Sequence, residues 1–319
     1  WERDGVAGEE LSWSVGYGPR TQAWLLKPIG ATGRLPGIAA LHDHGGWKFH
    51  GKEKIALGPD AAPAELTRFH QGCYGGRAYA NELARAGYAV LVHDTFQWGS
   101  RRFPFETIPE WDRLCAQAMV PLIGGEVPKE IADYNAAAGL HEHTVERYAV
   151  LLGTTMSAII AFEDRIAANY LASRRDVDAS RIGCVGLSGG GLRSTLLNAT
   201  SDRIAAAVVV GLMSTYDGLL DHNVNSHTWM LYPSGWGKHG DWPDLAACRA
   251  PSPLLVQYDN EDGLFTLAGM KAAHRALGAH FKFVRAPKNY VGQFYPGPHK
   301  FDVPMQDAAI AWLGSHLKK

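Results

Sequence analysis

The chain has 319 residues, 46% of them hydrophobic and 20% charged, which is typical of a globular protein and excludes a disordered chain. Lysine and arginine number 31 and aspartate and glutamate 32, so the net charge of −1 gives no electrostatic reason to bind nucleic acid or an anionic membrane. No apolar run approaches the roughly 18 residues that cross a bilayer, so no membrane span is expected. The compartment stays open between the cytoplasm and export with the signal segment removed.

Short apolar segments alternate with helical segments along the chain. The predicted strands are 10–14, 22–26, 36–42, 88–94, 181–187, 204–210, 253–258 and 281–284, and the predicted helices are 77–86, 145–173, 190–199 and 305–317. Strands that alternate with helices of ten or more residues indicate a mostly parallel sheet covered by helices on both faces. We therefore expect a single α/β domain over residues 1–319.

The strongest local signal is Gly186-Leu187-Ser188-Gly189-Gly190. It fits the pattern Gly-x-Ser-x-Gly, with an apolar strand before it and a helix after it. A serine at such a sharp turn has a strained backbone, and the flanking glycines avoid collisions with the neighbouring strand and helix. The pattern predicts that Ser188 is a catalytic nucleophile.

A serine nucleophile needs a base and an acid that orients the base, and in this arrangement the acid and then the histidine follow the serine along the chain. Asp262 lies a few residues beyond the strand 253–258, where an acid can reach a histidine, and it is the predicted acid. The competitors are Asp259, Glu261 and, more weakly, Asp217.

The histidines downstream of Asp262 are His274, His280, His299 and His316. The pattern puts His274 in a helix, His280 at the start of the last strand and His316 in the final helix. Only His299 lies in a loop between the last strand and the final helix, from which it can reach Ser188. It is the predicted base.

The oxyanion hole is expected to use backbone N–H groups, one from Gly189 and one from the loop 42–47. Two registers of this loop are open. The N–H of His44 donates if the strand ends at His42, and the N–H of Gly46 donates if His44 begins a His-Gly-Gly motif. The strand length favours His44.

Residues 99–143 are rich in proline, aromatic and small residues, and their periodicity is weak. We interpret them as an insertion that forms a partial lid over the site, with cover of the sheet edge or an oligomer contact as the alternative. Aromatic residues near the carboxyl ends of the strands predict an apolar or sugar-stacking pocket over Ser188. The residues predicted to line this pocket are Trp98, Phe105, Trp111 and Trp229.

The chain resembles the α/β-hydrolase superfamily, and within it the dienelactone-hydrolase-like and acetyl xylan esterase-like serine esterases. The resemblance covers most of the chain and rests on Leu-His-Asp-His-Gly-Gly at 41–46, on 173–183 leading to Gly-Leu-Ser-Gly-Gly, on His-Thr-Trp-Met at 227–230, on Pro-Ser-Pro-Leu-Leu at 251–255, and on Pro-His-Lys-Phe at 298–301. It implies hydrolysis of short-chain or acetyl esters through an acyl-enzyme and without a cofactor. Dienelactone hydrolase itself uses a cysteine where this chain has Ser188.

Several alternatives stay open. The pieces His42-Asp-His44, His50 and His141-Glu-His143 suggest a metal-dependent hydrolase, although their places in the predicted elements favour the absence of a metal. Four dispersed cysteines make a zinc ribbon or a disulfide framework an unfavoured interpretation. The same fold also supports lactone opening, C–C bond hydrolysis, peptidase action or non-catalytic binding. The expected partner is a small-molecule ester, and a homo-oligomer is left open.

Overall fold

The computed structural model describes residues 1–120, 126–220 and 223–318. Within these residues the chain forms one nine-stranded sheet. Its strands are β1 (Glu2–Arg3), β2 (Val6–Trp13), β3 (Thr21–Pro28), β4 (Leu35–Leu41), β5 (Ala89–His93), β6 (Val177–Leu187), β7 (Ile204–Val210), β8 (Leu254–Asp259) and β9 (Tyr290–Tyr295).

The strand order in the sheet is β1-β2-β3-β5-β4-β6-β7-β8-β9. The pairs β1–β2, β2–β3 and β3–β5 are antiparallel, and every pair from β5 to β9 is parallel. The predicted mostly parallel sheet is confirmed, with antiparallel strands at its N-terminal side. Because the carboxyl ends of the parallel strands share one edge, the loops that follow β4, β6, β8 and β9 come together there.

Helices cover both faces of the sheet. They are α1 (Ala64–Tyr74), α2 (Tyr79–Arg85), α3 (Glu110–Met119), α4 (Lys129–Leu151), α5 (Met156–Ser173), α6 (Gly189–Thr200), α7 (Trp242–Ala247), α8 (Leu267–Phe283) and α9 (Val303–Leu317). One buried cluster joins the sheet to α5, α6, α7 and α8, and a second joins it to α1, α2 and α9. Alternate side chains of β5 enter the two clusters, Leu91 the first and Val90 the second, as expected for a strand buried on both faces.

The long helix predicted over 145–173 is wrong, because two helices occupy this region. Helix α4 ends at Leu151, α5 begins at Met156, and the two axes are bent by 86°. Gly153 has φ +75° in the connection, and the Thr155 side chain accepts the N–H of Ala158 as the N-cap of α5. The cap and the left-handed glycine end one helix and start another within an apolar segment that reads as continuous.

The predicted irregular insertion 99–143 is largely helical where it is described. It contains α3 and more than half of α4, and residues 121–125 lie outside the described residues. Short-range periodicity failed here because the buried face of α4 consists mainly of alanines and polar side chains rather than of large apolar residues.

The predicted last strand 281–284 is also wrong. Residues up to Phe283 continue α8, so His280 is helical, and the last strand is β9. Met270, Ala273, Leu277 and Phe281 are buried at helical spacing, and this stripe outweighs the local strand propensity.

No single helix within the described ranges combines the length and apolar character of a membrane span. Helices α4 and α5 meet that test only when they are taken together as a bent pair.

Candidate active site

Ser188 occupies the sharp turn between β6 and α6. Its backbone has φ 57° and ψ −119°, which is a strained conformation for a residue with a side chain. A Cβ atom at Gly190 would lie 2.1 Å from the carbonyl oxygen of Leu41, and one at Gly189 would lie 2.6 Å from the backbone nitrogen of His44. Glycine is required at both positions because the end of β4 and its loop pass directly against this turn.

The turn also presents free hydrogen-bond donors. Ser188 is the N-cap of α6, so the first N–H groups of this helix have no carbonyl partner within the helix. The helix dipole adds partial positive charge at the same end. An anion that forms next to Ser188 would be stabilised by both effects.

Asp262 and His299 come together at the same edge of the sheet. Asp262 follows β8 and is buried, and His299 lies between β9 and α9 with 21% of its side chain exposed. His299 Nδ1 is 2.7 Å from Asp262 Oδ2. The second oxygen of Asp262 accepts the N–H of Leu264 at 2.8 Å, which fixes the plane of the carboxylate.

The proton on the His299 ring is placed by this contact. A carboxylate can only accept, so Nδ1 carries the proton and Nε2 keeps its lone pair. Within the described part of the chain, Nε2 is buried and has no hydrogen-bond partner. Burial alone would lower the pKa of His299, but the hydrogen bond and charge of Asp262, helped by Asp259 and Asp43, raise it above its usual value.

Asp259 is a second acid beside this pair. It ends β8, its Oδ2 accepts the N–H of Lys300 at 3.1 Å, and its Oδ1 is buried without a partner in the described residues. Burial raises the pKa of Asp259 to about 7, and the neighbouring Asp262 adds to this rise. The ligand atoms of Asp259, Asp262 and His299 lie within 4.8 Å of one another, so these three residues are the described set that could hold a metal ion.

The other sequence candidates lie elsewhere. Glu261 is exposed and accepts the N–H of Gly297, and Asp217 is exposed. The remaining downstream histidines contact Tyr290 (His274, 2.7 Å), Asp244 (His280, 2.7 Å) and the ring of Trp312 (His316). The His-rich pieces also separate: His44 contacts Glu142, His50 faces Glu65 at 3.7 Å, and His143 accepts from Trp229.

The loop after β4 distinguishes the two predicted oxyanion registers. Gly46 donates its N–H to His44 Nδ1 at 3.1 Å, so this N–H is already used. The backbone nitrogen of His44 lies against Gly189, and no hydrogen bond among the described residues uses its N–H. The geometry therefore favours His44 over Gly46 as the second donor.

Buried charged side chains hold the loop after β4 and the turn at Ser188 in place. Arg193 in α6 donates to Asp164 of α5 at 2.7 Å and to the carbonyl oxygen of His42 at 3.2 Å. Asp43 accepts from Tyr74 at 2.5 Å and lies 3.2 Å from Lys54 Nζ. These pairs connect the end of β4 to three helices, and they reduce its freedom to move relative to Ser188.

A cavity of about 400 Å³ opens above Ser188. His44 and His299 line it, and Phe69, Leu264 and His227 form other parts of its wall. His227 Nε2 is 2.8 Å from the carbonyl oxygen of Leu264. The cavity is small and mainly apolar, with the predicted nucleophile, base and oxyanion donors on its surface.

The four predicted pocket aromatics are not among the residues that line this cavity. Trp98 is buried beneath the loop, 1% exposed, and donates Nε1–H to the His44 carbonyl oxygen at 3.2 Å. Phe105 lines a separate cavity of about 580 Å³, Trp111 is 74% exposed, and Trp229 donates to His143 at 2.8 Å. A position near the strand ends in the sequence was therefore not enough to predict that a ring lines the cavity.

Sequence reasoning assigned no role at the cavity to Phe69, His227, Glu142 or Lys48, although His227 belongs to the His-Thr-Trp-Met motif. Phe69 and His227 line the cavity, and Glu142 lies 2.9 Å from His44 Nε2 and 2.5 Å from Lys48 Nζ. The pattern His141-Glu142-His143 by itself suggests only a metal site. No short motif in the sequence connects Glu142 to the loop after β4.

No family model matches this sequence. A protein of Bacillus subtilis (strain 168) named "Putative hydrolase YtaP" is 25% identical over 281 residues, which are 87% of this chain and 77% of that protein.

Among solved structures, the methylesterase BT1017 superposes with a TM-score of 0.60 at 20% identity over 98% of this chain. This chain spans about half of that longer protein, 55% of its length. A "putative acetyl xylan esterase" from Bacteroides fragilis NCTC 9343 gives 0.67 at 16% identity, covering 92% of this chain and 67% of that one.

A "Putative Dienelactone Hydrolase" from Klebsiella pneumoniae gives a TM-score of 0.55 at 15% identity, covering 99% of this chain and 100% of that one. At such identities the likeness concerns the fold, and the names of these neighbours are consistent with the expected carboxylesterase-type hydrolase. The chain has the α/β-hydrolase fold, which it shares with esterases and dienelactone-hydrolase-like proteins.

Proposed function

We propose that this protein is a serine carboxylic-ester hydrolase that works through an acyl-enzyme, with Ser188 as nucleophile, His299 as base and Asp262 as the acid that orients the base. The observation that carries the proposal is the combination of a strained serine turn with an Asp262–His299 pair whose Nε2 is free, on the surface of one cavity. This is the arrangement that activates a serine hydroxyl.

In the acylation step, His299 Nε2 takes the hydroxyl proton of Ser188 while Oγ bonds to the ester carbonyl carbon. The carbonyl oxygen becomes an oxyanion, which accepts hydrogen bonds from the N–H groups of Gly189 and His44. When the tetrahedral intermediate collapses, the bond to the alkoxy group breaks and the imidazolium returns its proton to the leaving alcohol. Water then attacks the acyl-serine by the same route and releases the acid.

The cavity supports small acyl groups as the substrate class. Its volume of about 400 Å³ lies near the low end of the range for ligand pockets, and Phe69 and Leu264 provide apolar wall. Acetyl and other short-chain esters fit such a space. The name of the acetyl xylan esterase neighbour agrees with a small acyl group.

The proposal is tested with p-nitrophenyl acetate and a fluorophosphonate probe. We expect hydrolysis, covalent labelling of Ser188 in the intact chain, and a loss of about 10⁴-fold or more in kcat for Ser188→Ala with an unchanged unfolding temperature. Because the proposed oxyanion donors are backbone groups, activity should survive EDTA. Near-native turnover by Ser188→Ala, or activity that EDTA abolishes and zinc restores, would overturn the proposal.

A further inference from the structure

Glu142 in α4 is a buried carboxylate that accepts four donors from two separate loops. Its Oε2 contacts His44 Nε2 at 2.9 Å and Lys48 Nζ at 2.5 Å. Its Oε1 accepts the Thr228 hydroxyl at 2.5 Å and the Trp229 N–H at 2.9 Å. Only 4% of the residue is exposed.

The two loops that Glu142 joins both reach the cavity above Ser188. His44 belongs to the loop after β4, and Thr228 belongs to a segment between β7 and α7, and both residues line the cavity. Glu142 itself does not line it. A group that contacts both loops but does not line the cavity can fix the position of each loop without contacting a substrate.

The contact with His44 fixes which ring nitrogen carries the proton. A carboxylate accepts, so Nε2 donates to Glu142 and Nδ1 is left with a lone pair. Gly46 donates its backbone N–H to that lone pair at 3.1 Å. The side chain of His44 thereby closes its own turn, and the backbone N–H of His44 lies against Gly189.

The charge on Glu142 is maintained despite its burial. Burial by itself raises the pKa of this carboxyl, but Lys48 and His44 together hold it well below its usual range. Lys48 is fully buried, also donates to Gln97 at 2.7 Å, and lies over the Trp98 ring. The lowered pKa favours the carboxylate form, which accepts the four contacts described above.

We propose that Glu142 is a positioning residue for the oxyanion hole: it holds the His44 ring in the tautomer that closes the 44–46 turn and keeps the His44 N–H beside Gly189. This inference rests on the proposed function, because it concerns the donors that would stabilise the ester oxyanion. It predicts that Glu142 acts on the transition state rather than on substrate binding.

Helix α4 offers a matched control one turn further on. Glu146 is 3% exposed, and its Oε2 accepts the N–H of Met156 at 2.8 Å. It is as buried as Glu142 and lies on the same side of the helix, but its hydrogen bond goes to α5 and not to the loops around Ser188. Glu146→Gln therefore reports the cost of changing a buried glutamate in α4 without touching the oxyanion loop.

The experiment compares the full-length wild type, Glu142→Gln and Glu146→Gln. For Glu142→Gln we expect kcat/KM on p-nitrophenyl acetate to fall about 10- to 100-fold, less than the ~10²–10³-fold of losing an oxyanion donor outright. The inhibition constant of a trifluoromethyl ketone, whose serine adduct carries an oxyanion, should rise by the same factor. The inhibition constant of p-nitroacetanilide, a non-reacting isostere, should stay within about twofold for both variants.

The outcomes separate the two proposals. If the wild type shows no Ser188-dependent hydrolysis, the proposed function fails. If the wild type is active and Glu142→Gln behaves like Glu146→Gln, or weakens both inhibitors equally, the positioning role is overturned while the function stands.

His44→Ala provides an independent arm in case Glu142→Gln does not fold. It keeps the backbone N–H and the Glu142–Lys48 pair but removes the ring that closes the turn. We expect a loss of kcat/KM similar to that of Glu142→Gln. The double variant should have the same kcat/KM as the less active single variant, because both substitutions act through one hydrogen-bond path. A native rate for His44→Ala, or losses that multiply in the double variant, contradicts the inference.

Discussion

Two imidazole–carboxylate pairs flank Ser188, and they place the ring proton on opposite nitrogens. In the first pair, His299 donates from Nδ1 to Asp262 at 2.7 Å, and its Nε2 has no partner in the described structure. In the second, His44 donates from Nε2 to Glu142 at 2.9 Å, and its Nδ1 already accepts the Gly46 N–H. The first ring has a free lone pair, whereas both nitrogens of the second are occupied.

The difference shows that a short His–carboxylate contact does not by itself define a catalytic base. A base needs a lone pair that is free and open to the substrate cavity. A third pair shows why the lone pair must also be open to the cavity. His93 contacts Asp164 at 2.8 Å, and its Nδ1 lacks a partner in the described residues. The ring is only 1% exposed, however, and it also contacts Arg193. His93 therefore supports the turn below Ser188 and does not reach the cavity.

The largest expected effect comes from removing the carboxylate of the first pair. Asp262→Asn should lower kcat by about 10⁴-fold, because an amide can donate to Nδ1 and would favour the wrong tautomer of His299. Steady-state kinetics measure this, with thermal unfolding as the control for folding. Activity within tenfold of the wild type would show that another acid, with Asp259 as the nearest candidate, orients His299.

A substitution in the cavity wall should have an intermediate effect, on the selectivity between esters. Phe69 lines the cavity, so Phe69→Ala should change the ratio of kcat/KM between acetyl and bulkier acyl esters by ~1–3 kcal/mol, or about 5- to 150-fold. A series of p-nitrophenyl esters of increasing chain length measures the ratio. An unchanged ratio would mean that the acyl group binds elsewhere.

A smaller effect is expected in the pH dependence of the first pair, Asp262–His299. His299 must be neutral to act as a base, and its raised pKa places the acid limb of kcat/KM above its ordinary value of 6.5. Asp259→Asn removes a negative charge that favours the imidazolium, so the acid limb should move to lower pH. Because the charges of Asp259 and His299 influence each other, the measured values belong to the pair. A limb that moves upward would contradict this arrangement.

The smallest effect is expected at the aromatic residues of the segment 99–143. Phe105→Ala and Trp111→Ala should leave the preference between acetyl and bulky esters within about twofold, because neither ring lines the cavity of Ser188. The same ester series that tests Phe69→Ala tests these variants. A change as large as that of Phe69→Ala would show that the segment closes over the cavity when substrate binds.

Sequence reasoning anticipated the parallel part of the sheet and the residues that meet at its edge. Five of the six described parallel-paired strands were identified near their observed positions, because each is a short apolar run bounded by turn residues. The prediction failed at β9, which is only partly buried and lacks a continuous apolar run, and at the α4–α5 junction, where one glycine and one cap break an apolar segment. At β9 the apolar signal is too weak to mark a strand, and at the α4–α5 junction the turn chemistry outweighs the apolar pattern.

Local patterns in the sequence were enough to predict the candidate active site. Gly-x-Ser-x-Gly between a strand and a helix, followed by Asp262 and then His299 in loops after strands, fixes the serine turn and brings the pair to one edge of a parallel sheet. These signals are local, because each depends on a residue and the few neighbours that set its backbone.

The contacts that hold the candidate site in place could not be predicted from the sequence. Whether His44 or Gly46 offers a free N–H depends on a ring whose partner, Glu142, lies 98 residues away, and the burial of Trp98 depends on the loop that folds over it. A hydrogen bond between distant segments leaves no spacing rule in the sequence, because the distance between its partners is set by the packing of α4 against α3, α5 and the segment Trp229–Leu231, and not by the chain between them.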